Sequence, residues 1–124
     1  MMIMALILLQ GAATLDCDNA MTQTDMNRCA AREFDRADRA LNVQWTRTAE
    51  EMRRRDATAF RDGRPGYFQT LLESQRAWLN FRDTQCRVEG YYARGGSLEP
   101  LLVATCKTQL TQERTQTLRD LVTQ

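Results

Sequence analysis

Three runs of apolar residues recur at steps of three and four along this chain, separated by two clear breaks. In the first run, Met26, Ala30, Phe34, Ala37, Leu41, Trp45, Thr48 and Met52 form one continuous stripe, the pattern of a helix that buries a single face. The Thr22 hydroxyl can cap free amides there, and Asp25 suits the positive helix end. The first helix is therefore expected from Thr22 to about Ala57. Arg61-Asp62-Gly63-Arg64-Pro65-Gly66 ends it, because glycine and proline together favour a turn. A second helix is expected from about Tyr67 to Ala93. At 100° per residue, Tyr67, Phe68, Leu71, Gln75, Trp78, Leu79, Arg82, Cys86 and Glu89 fall on one side of it. Arg94-Gly95-Gly96 breaks the pattern, Ser97 is the expected N-cap of a third helix, and Pro100 is tolerated in its first turn. Leu102, Val103, Cys106, Leu110, Leu118 and Leu121 form the apolar side of that helix. The connector is short, so the last two helices should form an antiparallel hairpin. The expected fold is all-α, a small bundle of three main helices.

Composition narrows the function without naming it. A chain of 124 residues with 43% apolar content is one domain with a modest core. Net charge is +1. From Asp25 to Asp56, eight arginines alternate with seven acids, leaving no basic stripe for a nucleic acid. Histidine is absent, which removes the commonest general base and metal ligand. No glycine-rich phosphate loop and no nucleophile elbow occur. Neither a cofactor nor an enzymatic activity is expected. A hydrolase using carboxylates alone would need two acids roughly 5–9 Å apart across a cleft, and a narrow bundle offers none.

Met1 to Leu9 is almost wholly apolar, and Gly11-Ala12-Ala13 supplies small residues suited to cleavage. Residues 1–13 thus read as a signal peptide, too short for a stable membrane anchor, and residues 14–124 as the mature domain. Asp16 directly before Cys17 does not suit lipid attachment, so a periplasmic or secreted bacterial protein without a membrane anchor is expected. In that compartment four cysteines read as two disulfides, since their spacing lacks the short knuckle of a zinc site. Cys86 lies ten residues before Gly96 and Cys106 ten after it. At ~1.5 Å rise per residue they meet at one height in the hairpin. Cys29 faces away from the main stripe, which suits a bond to Cys17 folded back along the first helix. This pairing is favoured over the two alternatives, although spacing alone does not prove connectivity.

The segments Cys17-Asp18-Asn19-Ala20-Met21-Thr22-Gln23-Thr24-Asp25-Met26-Asn27-Arg28-Cys29-Ala30, Ala37-Asp38-Arg39-Ala40-Leu41-Asn42 and Gln75-Arg76-Ala77-Trp78-Leu79-Asn80-Phe81-Arg82-Asp83-Thr84-Gln85-Cys86 carry a family likeness. So do the Gly95-Gly96-Ser97 turn and Cys106 with Thr111 and Arg114. In this order they resemble the LprI-like lysozyme inhibitor family of small exported bacterial helical domains. The resemblance implies a binding module acting by non-covalent occlusion of another protein, with lysozyme the first candidate partner. It transfers no inhibitory residue to this chain. The alternative is an envelope interaction module without inhibitory activity.

Three sets of residues stand out. Arg82 projects from an apolar face, where a lone charge costs several kcal/mol, roughly, so it should pair with Asp38 or Glu113. Tyr91 and Tyr92 cannot both face inward, and with Arg94 and Ser97 they form a patch of interface-like composition. Trp45 and Trp78 are expected in the core. Arg53-Arg54-Arg55, set among Glu50, Glu51 and Asp56, reads as a solvated face.

Overall fold

The computed structural model describes residues 14–124; the expected signal segment, residues 1–13, lies outside them. Helix α1 spans Gln23–Thr58, α2 Tyr67–Gly90 and α3 Glu99–Val122, with short 3-10 turns at Cys17–Asn19 and Tyr91–Ala93. No strand occurs among the described residues. Among those residues, no helix is long and apolar enough to cross a membrane.

Three cross-links fix the direction of the helices. The Asn27 amide donates to the Ser97 carbonyl at 2.9 Å, the Thr48 hydroxyl to the Leu118 carbonyl at 2.9 Å, and Arg55 Nη2 to the Leu121 carbonyl at 3.2 Å. Partners that advance together along both helices mean that α1 and α3 run parallel, in register. α2 runs antiparallel to both and packs against the pair. Its N-terminus is capped from another element: the Asp56 carboxylate of α1 accepts the Tyr67 and Phe68 amides at 2.7 and 3.0 Å. This satisfies two of the orphan donors of a helix start. Gly66 is required there, because a Cβ would lie 2.6 Å from Asp56 Oδ1.

Thr22 caps α1 as expected, accepting the Asp25 amide at 3.1 Å. Ser97 does not cap α3. Leu98 occupies that position without a side-chain bond, and Glu99 and Pro100 open the helix. The second α-helix also stops earlier than expected, at Gly90. The Tyr91 amide there shares the carbonyls of Arg87, Val88 and Glu89, and the chain tightens into a 3-10 turn. Gly95, at φ +78°, then completes the reversal, a conformation glycine adopts without strain.

The apolar core lies toward the α1–α2 loop, where Leu41, Ala49, Met52, Leu71 and Leu118 cluster and Trp45, Phe68, Trp78 and Leu121 pack against them. Polar side chains are interleaved with it and continue past it toward the reversal: Gln44, Thr48, Gln75, Arg82, Thr111 and Thr115 are all buried. Arg82 is the charge in this layer. Its Nε donates to Asp83 Oδ1 at 3.0 Å, its Nη1 lies 3.5 Å from Asp38 Oδ1, and the Thr111 hydroxyl accepts from Nη1 at 3.4 Å. Its guanidinium carbon stands 5.2 Å from the ring centres of both Phe34 and Trp78, within cation–π range. Glu113 is not a partner; it accepts from the Gln109 amide at 3.3 Å on the exposed side of α3. A near neighbour on its own helix, Asp83, takes that role instead. Nearby, Arg114 reaches back to Gln75 and Ser74, and burial lowers its pKa.

Both disulfides form as favoured above: Cys17–Cys29, and Cys86–Cys106 with Cα atoms 5.4 Å apart. The first ties the leading 3-10 turn back onto α1. The second joins α2 to α3 above the Arg82 layer.

Two stability outcomes follow. Arg82→Ala should lower stability by about 2–3 kcal/mol in denaturant melts. Arg82→Met should lose clearly less, because it keeps the stem's packing and removes the buried charge. Asp56→Ala should lose about 1–2 kcal/mol, the usual magnitude for a deleted N-cap, and proton exchange at the Tyr67 and Phe68 amides should quicken.

Candidate functional site

The end of the bundle carrying the α2–α3 reversal is built for close helix approach. At Gly90 a Cβ would lie 2.5 Å from Val103 Cγ2, so only glycine lets the helices touch there. One turn below, Cys86–Cys106 clamps the same pair, with Cys86 fully buried. The Asn27–Ser97 bond then fastens the reversal to α1. The tip is consequently held at three points.

The four expected tip residues separate into two groups. Tyr91 is partly exposed, with the Arg94 guanidinium 4.4 Å from its ring centre, so these two side chains stack on each other. Tyr92 is 90% exposed. Ser97 contributes its carbonyl to the Asn27 contact. Tyr92 forms one wall of an open groove of about 520 Å³, with Glu89 on its rim and Leu101, Leu102 and Cys106 among its lining. Thr105 and Gln109 continue the lining into a second depression of about 290 Å³, where Glu33, Thr108 and Gln112 also stand. The two depressions follow the outer side of α3 between its neighbours.

Their chemistry is that of contact. Apolar floor, amides, hydroxyls and a carboxylate suit a binding surface with a few orienting polar groups. Cys86, Glu89 and Cys106 come within 4.8 Å of one another through their ligand atoms, but both sulfurs are committed to the disulfide and are not thiolates. The carboxyls held below their usual range lie at the opposite end of the bundle. Hydrogen bonds from Arg54 and Arg55 lower Glu51, and those from Arg64 lower Asp62.

Sequence reasoning singled out Tyr92 as a candidate but did not anticipate the groove beside it. Leu101 and Leu102 are adjacent, and periodicity assigned only Leu102 to an apolar face. It also missed Phe60, which is 90% exposed in the α1–α2 loop. An aromatic between a helix end and a Gly-Pro turn was the available signal. Tyr67, Leu79 and Glu89, expected on the inner side of α2, stand exposed at the edges of its buried face.

The family model for lysozyme inhibitor LprI matches residues 16–118, from the leading turn through most of α3. This chain belongs to the LprI lysozyme inhibitor family. Its matched segment includes both disulfides, the Arg82 layer and the whole tip. An uncharacterized protein of Rhizobium meliloti (strain 1021) is 38% identical over 109 residues, covering 86% of this chain and 78% of that protein. No solved structure matches the chain.

The contact at Gly90 gives a test of the tip. Gly90→Ala should lower the melting temperature by several degrees, the effect of about 1–3 kcal/mol of overpacking. Val103→Ala in the same chain should restore much of the loss.

Proposed function

We infer that this protein is an extracytoplasmic binding module that inhibits a lysozyme-type enzyme by covering its cleft without turnover. The observation that carries the reading is the family match across residues 16–118. Two disulfides support the location, because such bonds persist outside the reducing cytosol. The tip supplies the contact. Tyr92 is an amphipathic aromatic on a braced turn, beside a groove that can receive a ridge of the partner. Bracing by Cys86–Cys106, Gly90 and Asn27 means that little further ordering is lost on binding, which favours affinity.

A second reading is kept by one observation. Net charge is only +1, whereas a dedicated inhibitor of a strongly basic lysozyme gains association rate from a negative surface. An envelope protein of less extreme charge is the alternative partner, bound through the same tip.

Titration of the oxidised protein into a lysozyme cell-wall lysis assay decides between them. Inhibition should saturate at a stoichiometric ratio, and Tyr92→Ala should weaken it by about tenfold or more, the effect of losing an interface aromatic, with no change in melting temperature. Undiminished lysis at micromolar excess would remove the inhibitory reading and leave the envelope partner.

A further inference from the structure

α2 carries a second stripe that the monomer does not use. Tyr67, Thr70, Ser74, Ala77, Phe81, Thr84, Val88 and Tyr91 follow one another at alternating steps of three and four. All eight are exposed, with Phe81 at 52% and Val88 at 57%. None is charged, although charged residues make up 27% of the chain. That spacing is the a/d seam of a coiled coil, on a face of α2 that borders the buried one and that α1 and α3 leave uncovered. Its helical part spans about 36 Å for 24 residues. The positions that flank the seam on its open side carry Glu73, Asn80 and Arg87.

We propose that this seam is the self-association face of the protein, pairing α2 with α2 of a second copy in an antiparallel, two-fold arrangement. Two features select a second copy over an unrelated helix. The first is shape. The stepping pattern is palindromic, so in an antiparallel pair Ala77 meets Phe81 of the other copy, Ser74 meets Thr84, Thr70 meets Val88 and Tyr67 meets Tyr91. The largest residue at the centre thereby faces the smallest, as knobs-into-holes packing requires. The second is charge. Read along that flank, Glu73, Asn80 and Arg87 run from negative through neutral to positive, and reversal of the order inverts the sign at each end. Glu73 therefore faces Arg87 of the other copy, a contact made twice by the symmetry of an isologous interface, and Asn80 faces its own copy at the centre. A parallel pair would set each charge beside its own copy. Ser74 already accepts from Arg114 at the seam's border, which leaves it compatible with a small, polar layer. With one helix per copy, the interface sits at the small end of specific contacts, so association belongs in the micromolar range. Tyr92 and the groove along α3 lie off the seam, so the dimer presents two tips at opposite ends.

Sedimentation equilibrium on the oxidised protein, from low micromolar to submillimolar concentration, tests the inference. A monomer–dimer equilibrium is expected. Phe81→Glu should weaken it by at least about tenfold, as loss of a central interface anchor does, with unaltered helicity and melting of the monomer, since Phe81 is exposed. Glu73→Arg alone should weaken it and Glu73→Arg with Arg87→Glu should restore it. A single monomeric mass across the range overturns the inference. So does a dimer indifferent to Phe81→Glu, which would place self-association on another face.

Discussion

The Cys86–Cys106 bridge stands where the apolar interior of the bundle gives out. Toward the α1–α2 loop, five buried apolar side chains and their aromatic neighbours hold the helices together. Toward the α2–α3 reversal the structure has the Arg82 layer, the bridge and the Gly90–Val103 contact, and little else that is apolar and buried. Closing a loop of 20 residues removes about 3 kcal/mol of chain entropy from the unfolded state on the usual model. In a domain with so lean a core, that contribution is comparable to net stability. The tip's rigidity is thus largely covalent, and the tip is where we propose that the partner is bound.

Register between α1 and α3 has a different source. Apolar contacts slide with small cost, whereas each polar contact in this interior has one partner. Thr48 of α1 bonds the Leu118 carbonyl of α3, and Arg82 draws Asp38 of α1 and Thr111 of α3 to one level. A slip of one turn would leave several of these groups buried and unpaired, each costing about 1–3 kcal/mol. The register so fixed brings Asn27 opposite Ser97. The polar layer in the middle of the bundle therefore helps position a reversal several turns away.

Much of this was legible in the sequence because it followed from spacing. Helix number, the α1 start at Thr22, the hairpin and both disulfides depend on periodicity and on the length of chain between glycines and cysteines. Arg82 was legible as a buried charge, because no apolar face tolerates one unpaired. Its partner was legible only in part. Asp38 was identified, but Asp83 is adjacent in sequence and reaches the guanidinium only through the rotamer Arg82 adopts, which spacing does not encode. Ser97 was misplaced for a related reason: cap preference is local, while its carbonyl is claimed by Asn27 from a distant part of the chain. The groove beside Tyr92 could not be read, since it depends on how far α2 and α3 stand apart below Gly90.

The two stripes of α2 show why periodicity alone underdetermines a surface. Residues at helical spacing announce a buried face, and on α2 the run through Leu71, Gln75, Trp78, Arg82 and Cys86 supplies it. Phe81 and Val88 belong to a different series, and only burial separates the two. An exposed seam without charge lowers the solubility of a monomer and brings its fold no contact. Its persistence along the whole helix is physically reasonable if something covers it. The near-neutral net charge fits the same picture. Opposite signs cancel at a distance beyond about 8 Å at physiological ionic strength, so such a flank attracts nothing from afar. At contact it discriminates between alignments, because a parallel pair sets like charges together and a shift of a single turn parts Glu73 from Arg87. Short-range selection of that kind is what a symmetric helix pair needs, and it asks for no net charge at all.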